Sequence, residues 1–85
     1  MNVEYIGLFA GVLTTIAFVP QVYQTWKSKS AKDLSLGMLL ILIAGLILWL
    51  IYGLFLNAMS IIFTNSAVLV LASILLFFKF KYGHQ

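Results

Sequence analysis

Residues 36–56 read LGMLLILIAGLILWLIYGLFL, a run with no charged side chain. A helix rises about 1.5 Å per residue, so a run of roughly 20 residues reaches about 30 Å, the thickness of the hydrocarbon layer of a membrane. We therefore predict that this run crosses a membrane as a helix.

Two further apolar runs flank the first, at residues 5–26 and 61–80, and each is long enough to span a bilayer. The chain of 85 residues is 64% hydrophobic and 8% charged, and its charged side chains fall at the edges of the three runs. A soluble domain of this size would expose too much apolar surface. The prediction is an all-α membrane protein in which residues 1–85 form a single domain of three transmembrane helices.

The connectors between the runs set the order of the helices. The first connector, residues 27–35, is polar, and Asp33 or Ser35 is suited to cap the second helix because either side chain accepts from free backbone amides. The second connector, residues 57–60, is very short. The second and third helices are therefore predicted to form an antiparallel hairpin.

The lysines predict the orientation of the chain. With three spans, the first connector and the C-terminus lie on the same side, and that side carries all of the lysines, which are Lys27, Lys29, Lys32, Lys79 and Lys81. The positive-inside rule then places the N-terminus outside and the C-terminus in the cytoplasm. We read the net charge of +3 as this topology signal, not as a nucleic-acid-binding surface.

The sequence offers little chemistry for catalysis. It has no cysteine, and its one histidine, His84, is read as part of the C-terminal tail. No metal site and no cofactor are expected. Thr14 and Thr15 have no neighbouring histidine or carboxylate that would activate a hydroxyl, so the chain is not predicted to be an enzyme.

Pro20 and Gln21 interrupt the first apolar run. Proline has no amide to donate to the carbonyl of Ile16, which weakens the helix at this point. One interpretation is an ordinary transmembrane proline with a packing role, and the other is a hinge that lets the end of the helix move. Gln21 can bridge freed backbone groups or bond to a neighbouring helix.

Trp49 and Asn65 lie at matching depths of the predicted hairpin. Alone, Asn65 is best explained as a hydrogen bond between helices, and Trp49 as an aromatic that fills the core or faces lipid. Together they suit a sugar, because a ring stacks on the apolar face of a pyranose while an amide bonds its hydroxyls. Gly7 and Gly11 have the GxxxG spacing of close helix packing, of which dimerisation is only one use.

The chain closely resembles the SemiSWEET transporters, the bacterial half-size relatives of the SWEET sugar transporters in the PQ-loop (MtN3-like) superfamily. The resemblance covers almost the whole chain in order and spacing. It is carried by Thr14-Thr15, Phe18-Val19-Pro20-Gln21, Ser30 to Ser35, Met38, Trp49-Leu50-Ile51-Tyr52-Gly53 and Asn65.

That resemblance implies an architecture and a place in the cell. Three helices in the spatial order 1-3-2 would form a protomer, and two protomers would pair as a parallel homodimer of six helices in the bacterial inner membrane. Sugar would bind at the dimer axis and reach each side in turn by alternating access.

The resemblance also implies roles for individual residues. These are sugar binding for Trp49 and Asn65, a hinge for Pro20 and less firmly Gln21, an outer gate for Tyr52, and an inner gate for Met38 and Phe18. Some family members reinforce the outer gate with an arginine and an aspartate. Residues 53–59 of this chain carry no charge, so its outer gate would close on Tyr52 and apolar packing.

The leading functional hypothesis is passive uniport of a mono- or disaccharide such as glucose or sucrose by the homodimer. Proton-coupled transport is less favoured because the three apolar runs contain no acidic or histidine side chain, and their one basic side chain, Lys79, lies at the edge of the third run. A third hypothesis is a small non-transporting membrane subunit or a holin-like oligomer.

Overall fold

The computed structural model describes residues 3–32 and 34–83, so Asp33 and His84 lie outside it. The described residues form three helices: α1 (Val3–Ser28), α2 (Leu36–Leu56) and α3 (Met59–Tyr82). Each contains one predicted span, and each is long and apolar enough to cross a membrane. Three membrane-spanning helices were predicted, and this is confirmed.

The ends of α2 show why the helix starts and stops where it does. The hydroxyl of Ser35 accepts from the amide of Met38 at 3.2 Å, so the cap predicted at Ser35 is present. At the other end Asn57 takes a left-handed conformation with φ 54°. The amide of Ala58 then donates to Gly53 O and that of Asn57 to Leu54 O, which is the Schellman arrangement that ends a helix.

Helix α3 lies between α1 and α2, which confirms the order 1-3-2. Among the described residues, α3 packs against both neighbours, whereas no Cα atom of α1 comes within 8 Å of α2. Helices α1 and α3 are parallel and α2 is antiparallel to both. We call the end with the Asn57–Ala58 turn the hairpin end, and the end with Ser28 and Tyr82 the lysine end.

The core is centred on α3, where the three helices converge. Leu46, Val68 and Ala72 form a buried cluster, and Ala72 has no exposed surface. Phe18 packs against this cluster from α1. The middle helix therefore carries most of the buried apolar contact, which explains how α1 is held without touching the backbone of α2.

The seam between α1 and α3 is closed at the hairpin end by glycines. A Cβ atom at Gly7 would lie 3.0 Å from the hydroxyl of Ser60, and one at Gly11 would overlap the side chain of Thr64. The GxxxG pair predicted to mediate close packing does so inside the protomer.

Hydrogen bonds to α1 and to the connector fix the two ends of α3. At the hairpin end, Ala58 precedes α3 without a capping side chain, and Glu4 of α1 instead accepts hydrogen bonds from the amide and the hydroxyl of Ser60. At the lysine end, the buried Ala31 of the connector donates its amide to Tyr82 O, and its carbonyl accepts from the ammonium of Lys79 at 3.0 Å. The bonds of the Ser60 amide and the Tyr82 carbonyl satisfy backbone groups that a helix leaves unpaired at its ends, and the Lys79 bond satisfies a carbonyl of the connector.

Candidate functional site

Trp49 and Tyr52 stand together on a side of α2 that the protomer leaves open. Each is about half exposed, at 54% and 51%, and their rings meet edge to face with centroids 5.4 Å apart. They line a shallow groove of about 320 Å³ with Gly45 and Leu48. Nothing lies within 4 Å of the position that a Cβ atom at Gly45 would occupy. The groove therefore presents an oriented aromatic face beside unfilled space.

Asn65 is half-buried on α3, and its amide nitrogen donates to the carbonyl of Ile61 at 2.9 Å. A carboxamide has two N–H donors and an acceptor oxygen, so this bond occupies one of its donors. By helix rise, Asn65 lies about 9 Å and Trp49 about 10 Å from the hairpin end. The two residues are thus level, although Asn65 is not among the residues that line the Trp49 groove.

Pro20 and Gln21 line a second groove, which opens at the lysine end. It has a volume of about 610 Å³ and is bounded by α1 and the connector, including Gln24, Ser28 and Ser30. Helix α1 continues through Pro20 as far as Ser28. The predicted hinge therefore borders an open groove in which most lining residues have polar side chains, and not a packed contact.

One side of α1 carries only small or polar side chains. They recur at alternating spacings of four and three residues, which places them in one stripe along the helix. Each is exposed in the protomer. The members are Ala10, Thr14, Ala17, Gln21, Gln24 and Ser28. Carboxamides in contact with lipid tails would lose their hydrogen bonds, so this stripe is suited to water or to another protein chain.

This stripe was not predicted from the sequence. Thr14 was considered for its hydroxyl and Gln21 for its place beside Pro20, but they were not connected with each other or with Gln24 and Ser28. The alternating spacing of small and polar residues was the signal that would have found it.

The two residues assigned to an inner gate lie in different surroundings. Phe18 is half-buried against the core cluster, whereas Met38 is 56% exposed near the start of α2, at the lysine end. They belong to the two helices that do not approach each other within the protomer. The protomer alone does not bring them together as a gate.

None of the residues that line the two grooves is charged. Among the described residues there is no group of three histidine or acidic side chains that would hold a metal ion. Glu4, the carboxylate within the described residues, is bonded to Ser60 at the hairpin end. What the grooves offer is an aromatic face, amides and hydroxyls, which bind neutral polar molecules by stacking and hydrogen bonding.

The chain is similar to a known protein family, to a solved structure and to two curated proteins. The family described as PQ loop repeat matches residues 3–70. A crystal structure described as a bacterial homologue of SWEET transporters has a TM-score of 0.89 and 38% identity to the chain. The match covers 94% of this chain and 96% of that one.

Two curated relatives carry the same name, sugar transporter SemiSWEET. The relative from Bradyrhizobium diazoefficiens is 42% identical over 95% of this chain and 94% of its own length. The relative from Leptospira biflexa is 35% identical over 94% of each chain.

The chain has three membrane-spanning helices and matches the PQ-loop family over most of its length. It is therefore one of the small PQ-loop membrane proteins. Within that class the chain belongs to the SemiSWEET family, since the resemblance to two members spans nearly its full length. The relatives are named as transporters, a class that is not enzymatic, in agreement with the prediction that the chain is not an enzyme.

Proposed function

We propose that the chain is a facilitative sugar transporter that moves a mono- or disaccharide, such as glucose or sucrose, by uniport. The observation that carries the proposal is the groove beside Gly45, where the Trp49 ring is oriented by Tyr52 and half exposed. An aromatic face packs on the apolar C–H face of a pyranose. Asn65, which lies at the same depth as Trp49, offers its amide group to the hydroxyls of the sugar. The names of the relatives add independent support for sugar as the cargo.

The working unit in this proposal is a parallel homodimer. Helix α1 exposes Thr14, Gln21 and Gln24, and α2 exposes Trp49 and Tyr52. A single protomer would present these side chains to lipid. A second copy, related by a two-fold axis along the membrane normal, would cover them and enclose a wet pathway with two Trp49 and two Asn65 side chains.

Alternating access then assigns a task to each remaining residue. Pro20, with Gln21, acts as the hinge, because the missing amide at Pro20 leaves α1 easier to bend there. Tyr52 closes the hairpin end by packing without a charged pair. Met38 and Phe18 close the lysine end once the second protomer brings α1 and α2 of different copies together. A two-state equilibrium of this kind needs only a few kcal/mol between states.

The orientation follows from the lysines. We place the lysine end in the cytoplasm and the N-terminus outside, in the inner membrane of a bacterial cell. Sugar, lipid and a second copy of the chain are the partners that this assignment requires.

Uptake by reconstituted protein tests the proposal. Liposomes that contain the full chain are expected to take up labelled glucose or sucrose faster than empty vesicles. Trp49→Ala removes the stacking face, and Asn65→Ala removes the amide. Losing the buried area of a ring amounts to about 2 kcal/mol, or roughly 30-fold in affinity. Phe55→Ala is the matched control because Phe55 is 85% exposed on α2 and lines none of these grooves.

The outcomes separate the function from the site. No uptake of any sugar above empty vesicles supports a non-transporting subunit or a holin-like oligomer. Normal uptake by both Trp49→Ala and Asn65→Ala leaves transport intact but contradicts the assigned site. Sugar accumulation driven by a proton gradient, with dissipation of that gradient, contradicts uniport.

A further inference from the structure

Two apolar grooves lie at the lysine end, apart from the grooves assigned to the sugar pathway. The first, of about 340 Å³, lies between α1 and α3 and includes Tyr23 and Trp26. The second, of about 670 Å³, runs along α3 and includes Val70 and Phe77. The buried Phe78 borders both, so the two grooves are adjacent. Their linings are aliphatic and aromatic apart from Ser73 and the Tyr23 hydroxyl, which suits hydrocarbon chains.

Each groove has its own lysine at the same membrane level. The ammonium of Lys27 lies 5.7 Å from the ring centroid of Tyr23, which lines the first groove. That of Lys81 lies 5.8 Å from the ring of Phe77, which lines the second groove, and 5.4 Å from the ring of Tyr82 at the end of α3. Both lysines are one residue from the end of their helix, and α1 and α3 are parallel. Stacking on the rings holds both cations beside the groove mouths.

The other lysines are placed differently. Lys79 donates to the carbonyl of Ala31, and Lys29 and Lys32 lie in the connector, outside the helices that carry both grooves. The topology rule accounts for a lysine anywhere on this side and treats all five alike. It does not account for two lysines seated over the two apolar grooves.

We infer that this surface binds an anionic diacyl phospholipid of the leaflet at the lysine end. Its two acyl chains lie in the two grooves that Phe78 borders, and its phosphate is neutralised by Lys27 and Lys81. Charge complementarity selects an anionic over a zwitterionic headgroup, by about fivefold for each lysine near the surface. The preference weakens at high salt because the headgroup level is exposed to solvent.

Trp26 supplies a probe inside the first groove. In the full chain with Trp49→Phe, Trp26 is the remaining tryptophan, since the sequence has two. Its fluorescence is measured in phosphatidylcholine vesicles that contain a small fraction of lipid brominated on the acyl chain near the headgroup. The brominated lipid is phosphatidylglycerol in one series and phosphatidylcholine in the other. Stronger quenching by the glycerol lipid at equal fraction measures the preference.

Two double variants with the same loss of charge distinguish the site from a general basic surface. Lys27→Gln/Lys81→Gln is expected to abolish the preference for brominated phosphatidylglycerol. Lys29→Gln/Lys32→Gln is expected to retain most of it. Lys27→Arg/Lys81→Arg should keep the preference, which shows that charge at these positions is what matters. Circular dichroism checks that each variant retains its helices.

Equal loss of the preference in both glutamine variants, or no preference in the parent protein, overturns the site. Displacement of the brominated lipid by soluble inorganic phosphate also contradicts it, because the acyl chains would then contribute nothing. None of these measurements involves sugar uptake, so the result is independent of the proposed transport function.

Discussion

Gly11 and Gly45 show how differently the two sides of this protomer are built. Thr64 fills the space in front of Gly11, whereas the space in front of Gly45 is empty. The first glycine lies in the seam between α1 and α3, which the chain completes by itself. The second lies with Trp49 and Tyr52 on a side of α2 that no other part of the protomer covers. The contrast shows that the first side is packed within the protomer, whereas the second side is accessible to the ligand and the second copy that we propose.

The largest effect on stability is expected from the substitution Gly11→Ala, with Gly45→Ala as its control. Gly11→Ala forces α1 away from α3 because the added methyl overlaps Thr64, and overpacking of this kind costs about 2 kcal/mol. Gly45→Ala adds the same methyl to open space and should leave the free energy of unfolding unchanged or slightly higher. Unfolding in mixed micelles, followed by circular dichroism, measures both. Equal destabilisation by the two substitutions contradicts the contrast.

Pro20→Ala tests whether α1 must bend at Pro20 for sugar uptake. The substitution restores an amide that can donate to Ile16 O, so α1 should become stiffer and the protein no less stable. If the pathway works by bending at Pro20, the sugar uptake rate falls, by about tenfold for a barrier raised by 1.4 kcal/mol. Uptake and thermal unfolding are measured on the same preparation. An unchanged uptake rate in the stiffened helix would remove the hinge role.

The smallest effect is expected at the closed end of the seam. Glu4→Ala removes the carboxylate that accepts from Ser60 at the start of α3, and loss of a helix cap costs about 1 kcal/mol. In a double-mutant cycle with Ser60→Ala, the two effects should not add, because Glu4→Ala already removes the acceptor of the Ser60 hydroxyl as well as that of the Ser60 amide. Strict additivity would show that Glu4 and Ser60 act separately.

The sequence was sufficient for the parts of the fold that depend on local pattern. Length and hydropathy predicted the spans, the short second connector predicted the hairpin, and Ser35 was one of two predicted caps. The order 1-3-2 came from family resemblance. The bonds that Ser60 donates to Glu4 and that Lys79 donates to Ala31 were not predicted, because the partners are separated by 56 and 48 positions in the sequence. Such pairs become visible only when α1 is known to lie parallel against α3.

The candidate site could be predicted only in part for the same reason. The matching depth of Trp49 and Asn65 follows from the helix rise in an antiparallel hairpin. The Asn65 bond to Ile61 depends on a side-chain conformation that no spacing reveals. The proposed inner gate requires a second copy, because α1 with Phe18 and α2 with Met38 do not approach each other within one protomer.

Mixing active and inactive copies tests most directly whether two chains build one pathway. Wild type and Trp49→Ala are co-expressed in varied ratio, purified together, and assayed for sugar uptake. If both Trp49 side chains of a homodimer are needed, uptake falls with the square of the wild-type fraction, to about one quarter in an equal mixture. A linear fall, to about one half at that point, would mean that each chain works alone and would contradict the shared pathway.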